Sequence, residues 1–247
     1  MSTDQNTGRV VAQVDRDRRT FTGVVAVDGP SGTGKSTVSR AVATALGARY
    51  LDTGAMYRAV TLAVLRAGAS PADAEAVATV LVDAKLEMGT DPAAPHVFLD
   101  GDRVDAEIRT PEVTAAVSAV SAVPAVRAVL IATQREIIGA GGIVVEGRDI
   151  TTVVAPDAPV RVLLTASEEA RAARRGAETG TAATDQAQAL RRRDTLDSRT
   201  TEFLTAAPGV DVVDTTEMGR EAVVDQMLAL VAERTGFPVP AVPTPGT

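Results

Sequence analysis

One stretch constrains this chain more than any other. Gly29-Pro30-Ser31-Gly32-Thr33-Gly34-Lys35-Ser36 fits the pattern G-x-x-x-x-G-K-[ST]. An apolar run, Val24-Val25-Ala26-Val27, precedes it. After it, Val38, Ala41, Val42, Ala45 and Leu46 recur at helical spacing. A buried strand, a glycine-rich turn and a helix in that order put backbone N–H groups and a helix N-terminus around one point, which suits phosphate oxygens. Lys35 then reaches the β- and γ-phosphates, and the Ser36 hydroxyl binds Mg²⁺. The chain has two lysines, Lys35 and Lys85, among 25 basic residues, so random usage would seldom place one here. The bland alternative is a glycine-rich turn with a stray lysine. The motif implies a nucleoside triphosphate site and leaves open a kinase, a GTPase or a motor.

The rest of the chain alternates strand and helix. Arg49-Tyr50-Leu51 reads as a short strand before a helical pattern at Met56, Ala59, Val60, Ala63, Val64 and Ala67. Ser70-Pro71 predicts the start of a third helix, with Ser as cap and Pro in its first turn. From Lys85 to Val104 the period drops to two, and Asp100-Gly101 is a hairpin signal, so a small antiparallel insert is expected. Thr110-Pro111 restarts helix and Pro124 interrupts it. Further strands are predicted at 143–145, 160–164 and 210–213, a helix capped by Ser167 after the second, and a last helix over 220–234. Residues 171–203 are charged and poor in large apolar side chains, and read as helical but not core. The expected class is α/β, with a parallel sheet covered by helices on both faces.

Composition removes whole function classes. The absence of Cys excludes disulfide scaffolds, Cys-ligated zinc and thiol nucleophiles, and one histidine, His96, excludes His-rich metal sites. A net charge of -7 and 2% aromatics disfavour nucleic acid as a partner. No apolar run reaches the roughly 18 residues of a membrane helix, and the start of the chain lacks an apolar signal core, so a cytoplasmic protein is expected. Residues 1–20 read as a flexible leader and 236–247 as a Pro-rich tail around a 21–235 domain.

Three further clusters carry candidate chemistry. Asp52-Thr53-Gly54-Ala55-Met56-Tyr57-Arg58 opens a helix and could bind a second anion, or be a capped helix with a solvated arginine. Glu146-Gly147-Arg148-Asp149 ends a buried strand, where ligands of parallel sheets bind. Its carboxylate could hold Mg²⁺ through water and its arginine could fork onto phosphate, or the pair could be a surface ion pair. Arg191-Arg192-Arg193-Asp194-Thr195-Leu196-Asp197-Ser198-Arg199 is either a solvated helix face or a lid that brings arginines over a transferring phosphoryl group.

With these stretches in view the chain resembles the bacterial cytidylate kinases, from about Gly23 to about Val231. VVAVDGPSGTGKSTVSRAVA, ARYLDTGAMYRAVTLAVLRAG, EIRTPEVTAAVSAVSAVPAVR, IVVEGRDITTVVAPDAPVRVLLTAS and RRRDTLDS carry the resemblance. It implies a phosphate-loop kinase fold with a monophosphate-binding region at about 53–128, its insert at about 85–104, and a lid at about 171–204. It implies ATP on Gly29, Pro30, Ser31, Gly32, Thr33, Gly34, Lys35, Ser36 and Thr37, and Mg²⁺ on Ser36 and, through water, Glu146. CMP or dCMP would meet Thr53, Tyr57, Arg58, Ser118, Arg127, Arg148, Asp149, Arg193 and Asp197. Lys35, Arg148, Arg193 and Arg199 would stabilise the transferring group. Small phosphate-loop kinases for UMP, AMP or shikimate, and a nucleotide-dependent switch, are the rival readings. A monomer is expected. One departure stands out: the family's lid usually reads D-S-x-R with Pro-Leu following, whereas Arg199 arrives one residue early and Phe203 replaces the Pro. One residue on a helix turns a side chain by ~100°.

Overall fold

The structure is a computed structural model that describes residues 20–180 and 182–239. The leader up to residue 19 and the tail from residue 240 lie outside the described residues. Five parallel strands form the main sheet: β1 (Val24–Asp28), β2 (Arg49–Asp52), β6 (Ile143–Gly147), β7 (Val160–Thr165) and β8 (Asp211–Asp214), in the order β2-β6-β1-β7-β8. β1 is central, with Val25 opposite Val144 on one side and Val160 on the other.

Alternation along the strands feeds two cores. Val25, Val27, Val144, Val162 and Leu164 pack with α1 (Lys35–Leu46) and α8 (Arg220–Thr235), through Val38, Val42, Met227 and Val231. Ala26, Leu51 and Val145 point to the opposite face. There they meet α2 (Thr53–Arg66), α3 (Ala74–Asp83), α4 (Pro111–Ser121) and α5 (Pro124–Ile138), through Met56, Val60, Val77, Val120, Val126 and Leu130. Both faces are therefore covered, as the alternating pattern requires.

The insert is present as a second, antiparallel sheet of β3 (Leu86–Met88), β4 (Val97–Leu99) and β5 (Asp102–Arg103). Asp100 and Gly101 both take positive φ, 54° and 90°, which is the two-residue turn that an Asp-Gly pair favours. A third cluster, with Ala59, Leu62, Val97, Leu99 and Ile108, joins this sheet to α2. α2 is thus clamped between the main sheet and the insert, and ten of its fourteen residues are buried.

Two sequence expectations need correction. The third helix starts at Ala74, not at Pro71: the Asp73 side chain accepts from the N–H of Glu75 and of Ala76, a two-bond cap that Ser70 does not match. The 171–203 stretch folds into α6 (Glu168–Thr179) and α7 (Ala183–Asp197), and is not all outside the core. Ala172, Leu190 and Phe203 are buried. Few apolar side chains suffice here because charged ones fill the space between the two helices.

Among the described residues no single helix is long and apolar enough to cross a membrane. α4 and α5 pass that test only as a pair bent by 96°, and Val113, Val120 and Val126 on them belong to the protein's own cores.

Candidate functional site

The carboxyl ends of β1, β2 and β6 meet at one edge of the sheet, and each leads into a functional segment. After β1 the phosphate loop turns back against β7. A Cβ on Gly29, at φ 147°, would stand 2.2 Å from the Leu164 carbonyl oxygen, so only glycine lets the loop lie this close. The loop braces itself: Thr33 Oγ1 donates to the Pro30 carbonyl at 3.0 Å, and Thr215 Oγ1 donates to the Thr33 carbonyl at 3.2 Å. Lys35 Nζ donates to the carbonyls of Gly29 at 2.6 Å and Pro30 at 2.9 Å. Burial and the neighbouring Arg148 hold its ammonium below the ordinary lysine range, against the opposing pull of Glu146.

After β2, Asp52 caps α2 by accepting from the Ala55 N–H at 3.0 Å. That cap points the first turn of α2 at the phosphate loop. Arg58, one turn in, is buried and donates to the Ile108 carbonyl and to Thr114 Oγ1, both at 2.9 Å. Burial, then Arg109 and Arg175, bring it down to about 10.

After β6 the chain makes a single π turn over Ile150–Val154. Asp28 anchors it, accepting from Ile150 N at 2.8 Å, Thr151 N at 2.8 Å and Thr151 Oγ1 at 2.6 Å. Arg148 and Asp149 are thereby aimed into the cleft. Arg148 Nη2 donates to Ser31 Oγ at 3.1 Å and pairs with Asp197 at 3.0 Å, and its guanidinium lies 4.2 Å over the Phe203 ring. Asp149 pairs with Arg127 from α5. Ser118 Oγ, on α4, donates to Asp197 Oδ1 at the end of α7 at 2.7 Å. Arg193 is held down to about 9 by burial and by Arg148 and Arg58, and its Nε is buried with no hydrogen-bond acceptor among the described residues.

The carboxylate of Glu146 lies under this cluster, pushed up to about 7 by burial and by Asp52. Tyr50 donates its hydroxyl to Glu146, and burial keeps that hydroxyl protonated. The Ser36 hydroxyl sits beside both. Ser36, Glu146 and nearby Asp52 are hard oxygen donors, suited to Mg²⁺. Among the described residues no three acidic or histidine side chains form a cage, so an ion here would keep waters and share phosphate oxygens, as Mg²⁺ does.

These segments converge on one cleft of about 190 Å³. Of the expected residues, Ser31, Gly32, Gly34, Lys35, Ser36, Thr37, Thr53, Tyr57, Arg58, Arg127, Glu146, Arg148, Asp149, Arg193 and Asp197 line it. Gly29, Pro30 and Thr33 stand behind as the loop's frame, and Ser118 reaches the site through Asp197. Arg199 is exposed and does not line the cleft. The cleft also takes in Asp52, from the first of the three candidate clusters, and Arg109 and Arg175, which the sequence did not single out. Arg175 could have been found as the residue one turn beyond Arg171 on the helix after β7. Asp28 and Tyr50 gave no signal, since their partners lie about 100 residues away in sequence.

The sequence profile of the family described as "Cytidylate kinase" matches residues 25–233. A cytidylate kinase of Mycolicibacterium paratuberculosis is 55% identical over 219 residues, covering 86% of this chain and 96% of that one. One from Rhodococcus opacus is 54% identical over 220 residues, covering 86% and 96%. The solved structure of an uncharacterized protein from Eubacterium ventriosum overlays with a TM-score of 0.50 at 9% identity, covering 87% of this chain and 100% of that one, which is a likeness of fold. A profile match along nearly the whole folded chain and relatives at this identity leave one assignment: the chain belongs to the cytidylate kinase family.

Proposed function

We infer that the protein transfers the γ-phosphoryl group of ATP to CMP or dCMP, giving ADP and CDP or dCDP. The observation that carries this reading is the packing of Arg58, Arg148 and Arg193 opposite Lys35 and the phosphate loop. Burial, then Arg148 and Arg58, lower the basicity of Arg193, and its Nε–H, 3.6 Å from Asp197, is buried without a hydrogen-bond acceptor among the described residues. Positive charge this dense is matched by two sets of phosphate oxygens facing each other.

Phosphoryl transfer asks for alignment and charge neutralisation more than covalent chemistry. Lys35 exchanges the Gly29 and Pro30 carbonyls for β- and γ-phosphate oxygens of ATP. Ser36, and Glu146 through water, would hold the Mg²⁺ that accompanies ATP and neutralises charge on those phosphates. Arg58 and Arg148 take the CMP phosphate, whose anionic oxygen is the nucleophile and has no proton to lose. Thr53 and Tyr57 form the wall behind it. Arg127 donates to the cytosine carbonyl and ring nitrogen, and Asp149 accepts from its amino group. Ser118 and Asp197 face the sugar. Arg193 stabilises the transferring group, and the segment at about 171–204 closes as a lid to exclude water, since hydrolysis of ATP is the competing reaction. The protein acts as a cytoplasmic monomer.

The test is ADP formation with ATP, Mg²⁺ and each monophosphate in turn. CMP and dCMP are expected to support turnover well above UMP and AMP. Uracil presents a carbonyl where cytosine carries its amino group, and an unmet buried polar group costs roughly 1–3 kcal/mol. Equal kcat/KM for CMP and AMP would overturn the assignment.

A further inference from the structure

Arg148 and the lid must hold a fixed register against the phosphate loop for transfer to occur, and one side chain outside the cleft lining is built to set it. Asp194 lies in α7 and is 8% exposed. Its Oδ2 accepts from Arg171 Nη1 at 2.6 Å, and its Oδ1 stands 3.5 Å from Arg148 Nη1. Both arginines continue to a single residue of the phosphate loop. Arg171 Nη1 donates to the Ser31 carbonyl at 3.2 Å, and Arg148 Nη2 donates to the Ser31 hydroxyl at 3.1 Å.

The loop also presses on Arg171 itself. A Cβ on Gly32 would stand 2.9 Å from the Arg171 carbonyl oxygen and 3.0 Å from its Cβ. A closed circuit results, from α7 through Asp194 to Arg171 on α6 and Arg148 after β6, and from both to Ser31. Asp197, one turn further along α7, faces another way, toward Ser118, Arg193 and the second nitrogen of Arg148. These two carboxylates at the end of α7 thus divide the work: Asp197 looks into the cleft, while Asp194 looks behind it.

We propose that Asp194 is a positioning residue for phosphoryl transfer, holding Arg171 and Arg148 together on Ser31 so that the seating of α7 sets the acceptor arginine against the donor loop. This rests on the kinase reading above. A carboxylate shared by two guanidiniums fixes both planes as well as both distances. Misplacement by about 1 Å of a group that aligns reactants costs on the order of 10²-fold in rate. A purely structural ion pair between α6 and α7 would instead change stability and leave the turnover of the folded enzyme alone.

The full-length Asp194→Asn variant, which keeps the size and one acceptor oxygen, is assayed for ADP formation with saturating ATP, Mg²⁺ and CMP, beside Arg171→Gln and the double variant. The expected result is a fall in kcat of about 10- to 100-fold with KM for CMP within about threefold. The double variant should be no slower than the worse single one, because both changes break the same link. Normal kcat in the folded Asp194→Asn protein, or losses that multiply in the double variant, overturn the proposal. If Asp194→Asn does not fold, Asp194→Glu keeps the charge and displaces it by one methylene; it should lose about tenfold in kcat, and normal kcat there overturns the proposal equally. The wild type separates the two readings: CMP turnover with normal variants overturns the role of Asp194 alone, whereas no CMP turnover by the wild type overturns both.

Discussion

Asp28→Asn should damage the enzyme although Asp28 touches no part of the cleft. The carboxylate is buried and accepts three hydrogen bonds, from Ile150 N, Thr151 N and Thr151 Oγ1, at 2.6–2.8 Å. Asparagine has the same shape but one acceptor oxygen, and its NH₂ group would confront at least one of those N–H donors. Burial already pushes the Asp28 pKa up, so removing the charge itself costs little. The loss lies in the unmet donor, at about 1–3 kcal/mol. Tm is therefore expected to fall by a few degrees at neutral pH. Arg148 and Asp149 immediately precede the anchored turn, so relaxing that turn by about 1 Å should lower kcat/KM for CMP by 10-fold or more. Thermal melting and steady-state kinetics on the same preparation test both halves. Unchanged Tm together with unchanged kcat/KM would refute the claim that Asp28 anchors the arginine.

Other expectations follow from the same geometry. Lys35→Ala and Arg193→Ala should each lower kcat by about 10²-fold, as for loss of a preorganised charge-stabilising group, whereas the exposed Arg199→Ala should cost less than threefold by the same assay. Glu146 has a folded-state pKa raised from 4.5 to about 7, so its contribution to stability is fully present below pH 4.5 and is lost as pH rises to about 7. Glu146→Gln should therefore gain in stability relative to wild type at pH 8 more than at pH 5, by up to about 3 kcal/mol, with a correspondingly larger rise in Tm. Equal differences in melting temperature at the two pH values would count against a buried, raised carboxylate.

What the sequence made legible was local. The phosphate loop, the cap at Ser167 and the Asp100-Gly101 turn each lie within a few adjacent residues, where spacing alone carries the geometry. The third helix was misplaced because Ser70-Pro71 and Asp73 both offer a start, and only the hydrogen bonds choose between them. Arg58 and Arg148 were legible as ends of elements, but the partners that aim Arg148 were not. Ser31 and Asp194 reach it, and Asp28 reaches the turn that follows it, from distant parts of the chain, and no periodicity records such contacts. Phe203 was noted only as a departure from the family's lid. Its ring is 1% exposed and lies against Arg148, a contact visible only once α6 and α7 are folded beside the cleft.

The double burial of α2 decides which wall of the cleft can yield. Its first two turns present Thr53, Tyr57 and Arg58, and its body is gripped by the sheet on one side and the insert on the other. That makes this wall of the cleft an anvil: it cannot tilt without opening two hydrophobic seams at once. α6 and α7 meet each other largely through charged side chains and few apolar ones, so they are the cheaper part to lift. Compliance is therefore expected on the α6–α7 side of the cleft, while the wall that α2 forms stays still.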